Sequence, residues 1–138
     1  MTRYLKLPAI VAALIFTNIA LCDQANAFDL NGAWAGDADN CKKVFTRKGT
    51  QWVFSENSDV YGSGFIIAGD QIIGKNGRCH IKARKDTGAQ TNLIASCASD
   101  IMSQSMQFSL KEVDANTMTR MFPGMDGMEI NYSRCPAQ

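Results

Sequence analysis

Histidine is the usual proton carrier near neutral pH, and this 138-residue chain has one, His80. It alternates with Arg78 and Lys82 on the polar face of a predicted strand. No serine and carboxylate are spaced to complete a nucleophilic triad with it. No carboxylate pair stands out for glycoside chemistry. Asp37 and Asp39 fall where a short helix needs caps. Gly62-Ser63-Gly64 matches no phosphate loop and reads as strand glycine at a bend or close approach. No catalytic residue and no cofactor are expected.

Two other residue types have suggestive spacing. Six of the seven methionines lie from Met102 onward, and Met118, Met121, Met125 and Met128 are three, four and three apart. Thioethers favour Cu(I) among biological metals. However, Met118 and Met121 should point to opposite faces of a strand, and methionine is also an adaptable core filler, so no metal site is expected. Lys75 to Lys85 holds five basic residues and no acidic one. Arg78, His80, Lys82 and Arg84 would form a basic stripe along one strand, and Lys42, Lys43, Arg47 and Lys48 a second patch. Such a stripe suits an anionic envelope component, a lipid headgroup or an acidic polysaccharide. Its ordinary role is a solvated face that guards the strand against edge pairing.

The N-terminus says where these residues work. Arg3 and Lys6 precede an apolar run over Leu7–Leu21, and Ala25-Asn26-Ala27 has the small residues of a cleavage site. This predicts a secretory signal over residues 1–27, with the mature chain over 28–138 as one disulfide-bonded domain in the periplasm or outside the cell. The run is too short for a membrane anchor. Leu21 before Cys22 is not the small residue a lipobox asks for. Setting aside Arg3, Lys6 and Asp23 leaves 12 basic and 12 acidic residues, a balance that disfavours nucleic acid as a partner. Cys41, Cys79, Cys97 and Cys135 remain, an even number with no Cys-x-x-Cys motif for redox or zinc chemistry.

The elements that must position these residues are short alternating runs between turn signals. Leu30–Gly36, Gln51–Ser55, Tyr61–Ile67, Gln71–Lys75, Arg78–Lys85, Thr91–Ala98, Gln104–Val113, Thr117–Phe122 and Met128–Arg134 read as strands. Cys41 and Phe45, four apart, suggest one or two helical turns ending at Gly49. Asn76-Gly77 reads as a type I′ turn or a bend in one long strand. The fold expected is all-β: a small up-and-down antiparallel barrel of eight or nine strands with one short N-terminal helical turn, the alternative being a flattened two-sheet sandwich.

A hairpin turning at Gly88 opposes Cys79 to Cys97, Ile81 to Ala95 and Ala83 to Leu93, all on one face. That register predicts a Cys79–Cys97 disulfide, leaving Cys41 to pair with Cys135. Trp34 and Trp52 are expected in one core.

Leu30-Asn31-Gly32-Ala33-Trp34, followed by Cys41 and a strand meander, resembles the opening of the calycin-like barrels of the lipocalin and avidin type. The distance from Gly-x-Trp to the cysteine resembles the bacterial metalloprotease-inhibitor barrels of the periplasm. The chain is also similar to small secreted proteins of alpha-proteobacteria, which implies no activity. The match spans about 12 residues, Leu30–Cys41. It lacks the Thr-Asp-Tyr lipocalin motif and the several interior tryptophans of biotin-binding barrels. The resemblance therefore implies a fold rather than a ligand.

The function expected is non-catalytic binding of a small apolar ligand or an envelope component. The interior candidates are Trp34, Trp52, Phe54 and Phe108. The alternative is a protein-interaction module, such as a protease inhibitor that inserts a projecting Phe28-Asp29-Leu30 arm. An open apolar cavity favours the first; a filled barrel with that arm free favours the second.

Overall fold

Apolar residues recur at every second position along most of this chain, so each strand has one face to bury and one to leave in water. In the computed structural model, which describes residues 27–137, that pattern closes on itself. The strands are β1 (Gly32–Ala35), β2 (Phe45–Lys48), β3 (Gln51–Phe54), β4 (Gly64–Ala68), β5 (Gln71–Ile73), β6 (Gly77–Thr87), β7 (Gln90–Ser99), β8 (Ser103–Asp114), β9 (Thr117–Met121) and β10 (Glu129–Arg134). A helical turn, α1 (Cys41–Val44), follows a single 3-10 turn over Ala38–Asn40.

Eight strands form a closed antiparallel barrel in the order β1-β10-β9-β8-β7-β6-β5-β4, and β4 pairs back to β1. The meander is up-and-down, and the first strand closes it between the last strand and β4. Of the expected leader, residues 1–26 lie outside the described residues. No helix among the described residues is long and apolar enough to cross a membrane.

Expectation and structure part at the first hairpin. β2 and β3 pair only with each other and lie outside the barrel. The predicted helix to Gly49 stops at Val44, because Phe45 is extended and wholly buried. Gly49 then takes a positive φ of 64° in the two-residue connection between Lys48 and Gln51. This hairpin covers the outer face of β1 and β4. Phe45, Val44, Cys41 and Cys135 pack there on Ala33, Ala35 and Ile66, with Trp52 and Phe54 at the edge. The approach is close: a Cβ at Gly64 would lie 2.7 Å from the Phe45 ring. Trp34 belongs to the separate interior cluster with Leu30, Leu93, Met118 and Tyr132. The two tryptophans thus lie in two cores divided by the barrel wall.

The Gly88 hairpin pairs Cys79 with Cys97 and Ile81 with Ala95, as alternation predicts. A bulge between Ile81 and Ala83 then shifts the register, so Ala83 opposes Ile94 and Arg84 opposes Leu93. The hairpin reverses over Gly88-Ala89 with a Gly88 φ of 59°, the positive value a first turn position needs here. Beyond the bulge every side chain changes face. Arg84 therefore leaves the stripe and joins the inward side at one barrel end. The turn between β5 and β6 also differs from expectation: Gly74 and Gly77 flank Lys75-Asn76, and the Gly74 N–H donates to the Gly77 carbonyl at 2.8 Å. Asn76-Gly77 is thus not the turn centre.

Both disulfides are present, Cys79–Cys97 and Cys41–Cys135. They do different jobs. Cys79–Cys97 joins strands already paired. Cys41–Cys135 fastens the external helical turn to the end of β10, across a sequence separation of 94. In the chain-entropy model, closing the longer loop stabilises by about 4.7 kcal/mol and the shorter by about 3. Replacing Cys41 and Cys135 with serine should thus lower the denaturant midpoint more than replacing Cys79 and Cys97. Equal shifts in urea melts would show that the external hairpin holds without its staple.

Candidate functional site

The two ends of the barrel are built differently. At the end near β1's first residue, the chain doubles back into the lumen. Leu30 is 3% exposed and Trp34 is fully buried beneath it. The Trp34 indole N–H donates to the Leu30 carbonyl at 2.8 Å, which satisfies a polar atom that would otherwise be costly in the core. The Phe28 ring stands edge-on to Trp34, with centroids 6.0 Å apart.

Arg134 locks this arrangement. It opposes Trp34 in the β1–β10 ladder, and its guanidinium lies 4.3 Å from the indole centre. Its Nε donates to the Ala115 carbonyl at 3.0 Å, and its terminal nitrogens donate to the Asn31 and Asp29 carbonyls. One side chain therefore joins the N-terminal segment, β10 and the β8–β9 turn.

Arg84 adds a second tie. It donates to the Phe28 carbonyl at 2.8 Å and pairs with Asp86 at 2.9 Å. Hydrogen bonding from Arg84 holds the Asp86 carboxyl below the usual carboxylate range; partial desolvation opposes this and the Thr91 hydroxyl reinforces it.

The opposite end is open. A cavity of about 360 Å³ lies between β4–β6 and β7–β10. Its walls include Phe65, Ile72, Met106, Phe108 and Tyr132. The lining runs from buried Phe108 to Met102, which is 55% exposed, so the cavity reaches solvent. That volume falls within the range of small-molecule pockets, roughly 300–1,000 Å³. An eight-stranded barrel leaves an interior of about one small ligand unless side chains fill it. Here they fill only the sealed half.

Of the four interior candidates, Phe108 lines the cavity and Trp34 lies in the filled half. Trp52 and Phe54 are outside the barrel, on the covering hairpin. Their alternation is real, but it buries them against the outer face of β4 and β5. Phe65, Met106 and Tyr132 were not singled out by the sequence, though each sits at an inward strand position.

The basic stripe is broken. Arg78 is exposed at the rim of the cavity, His80 remains outward, and its Nδ1 lies 3.1 Å from Asp70. Lys82 falls at the bulge, and Arg84 is tied to Asp86 and Phe28. Met118 is buried in the core, whereas Met125 and Met128 are exposed beyond β9, so these methionines do not share one environment.

Removing the Arg134 guanidinium leaves three carbonyls without their donor and uncovers Trp34. Hydrogen bonds to a charged group contribute about 1.5–3 kcal/mol and the ring contact about 0.5–2. Arg134→Ala should cost roughly 2–4 kcal/mol. Arg134→Lys should recover little of this, since an ammonium lacks the planar fork. Equilibrium unfolding with a loss under about 0.5 kcal/mol would show that the sealed end does not depend on Arg134.

No protein-family model matches this sequence, and no curated protein or solved structure matches it.

Proposed function

We propose that the chain is a secreted or periplasmic, non-catalytic binding protein that holds a small apolar ligand in the open half of its barrel. The observation that carries this reading is the solvent-reaching cavity of about 360 Å³, walled by Phe65, Ile72, Met106 and Phe108. Natural cores are packed to near-crystalline density, and unfilled apolar space of this size costs stability. A ligand that fills it recovers that loss. The disulfides and the expected leader support an oxidising compartment.

The inhibitor reading requires Phe28-Asp29-Leu30 to project as a free arm. These residues are instead folded into the sealed end, where Arg84 and Arg134 hold their carbonyls. Withdrawing them would undo the Trp34 hydrogen bond. Envelope contact through the basic stripe loses support as well, since Arg84 is paired within the fold and His80 lies beside Asp70.

Filling the cavity separates the readings. N-phenyl-naphthylamine, a neutral fluorescent probe, should bind the oxidised protein with enhanced emission. Met106→Trp points a larger ring into the same space and should weaken binding by roughly tenfold or more. Ile94→Trp changes an outward residue on β7, 42% exposed, and should leave binding unchanged. Equal effects of the two substitutions, or no probe binding, would refute an interior ligand site.

A further inference from the structure

Resting on that reading, we infer that the ligand is an amphiphile with an anionic head, a carboxylate or a phosphate ester, received by Arg120 and Tyr132. Arg120 belongs to β9, where it opposes Leu110 and Ile130, both on the inward side. It lines the cavity, half-buried. Its guanidinium lies 4.7 Å from the ring centres of both Phe108 and Phe122. These rings fix the plane of the fork but accept none of its charge-assisted hydrogen bonds.

No acceptor among the described residues takes them either. The two ion pairs there are His80–Asp70 and Arg84–Asp86, and the arginine hydrogen bonds there belong to Arg84 and Arg134. The cavity lining contains Arg78 and Arg120 and no carboxylate. Arg134 makes the contrast plain: it also stacks on aromatic rings, yet its fork is satisfied by three carbonyls.

Tyr132 supplies the second donor. It is 6% exposed, and its ring packs edge-on to Phe65 at 4.8 Å. Its hydroxyl has no hydrogen-bond partner among the described residues. Yet the one fully enclosed side-chain polar atom without a partner there is the Ser58 hydroxyl. The Tyr132 hydroxyl therefore keeps contact with open space, and the cavity it lines provides that space. A planar fork and a hydroxyl at the wall of an apolar chamber suit one anionic head with the tail packed beyond it. A neutral apolar ligand would leave both donors unpaired.

The test displaces N-phenyl-naphthylamine from the folded, oxidised protein with decanoate, decyl phosphate and decanol, which share a tail. At least one of the anions should bind roughly tenfold to a hundredfold more tightly than decanol. Which anion binds more tightly identifies the head. Arg120→Met keeps an apolar side chain between the two rings. It should reduce the anions to decanol's affinity while leaving decanol within about twofold. Tyr132→Phe should weaken the anions alone, by about threefold.

Added salt should weaken the anions and spare decanol, a readout that stands even if Arg120→Met fails to fold. Decanol binding as tightly as both anions would overturn this inference and leave the carrier reading standing. Failure of all three to displace a bound probe would likewise overturn this inference alone, whereas absence of probe binding would overturn both.

Discussion

β1 pairs with β4 through four residues and with β10 through only two, so the barrel is closed at its shortest seam. Trp34 faces inward from this strand while Ala33 and Ala35 face outward, and each face meets a different core. Inside, the indole needs a hydrogen-bond acceptor and a lid, and the Leu30 carbonyl and Arg134 provide them. Outside, the two alanines are small enough for Phe45 and α1 to sit close, and Cys41–Cys135 fastens that layer to the end of β10. The Cys135 N–H donates to the Ala33 carbonyl at 2.8 Å, so the staple and the seam meet. Both ends of the described chain converge on this strand.

The uneven filling of the lumen follows. The N-terminal segment and Trp34 occupy one half, held by three inter-element bonds from Arg134. At the other end Gly74 and Gly77 stand on the rim and carry no side chain into the mouth. A barrel packed throughout would be more stable, and an open chamber is the expected cost of a binding site. Arg120 fits the same logic. A half-buried cation in an apolar wall has lost hydration without gaining a protein acceptor.

Alternation revealed much of the barrel because it reports which residues share a face. From it followed the Cys79–Cys97 register, the hairpins on either side and the inward position of Phe108. It could not say which side of a wall a face would find. Trp52 and Phe54 alternate as well as any barrel pair, yet their strand belongs to a hairpin whose partner, Phe45–Lys48, is too short to assert itself over a helical spacing. The bulge after Ile81 carries no sequence mark, and it moved Arg84 from a presumed surface stripe into a structural tie. Arg134 and Asn31 are 103 positions apart, a separation no local pattern spans. Arg120 was hidden differently: a cation in Thr117–Phe122 reads as solvated until Leu110 and Ile130 show which way it points.

The central claim is a barrel sealed at one end and able to admit a ligand at the other. Methyl-resolved NMR during titration with N-phenyl-naphthylamine tests it most directly. The account predicts shifts at the Met106 and Ile72 methyls, with the Leu93 methyls and the Trp34 indole N–H unmoved. Shifts confined to Val53 and Ile73, beside the external hairpin, or displacement of the Trp34 resonance with the Met106 methyl unmoved, would contradict it.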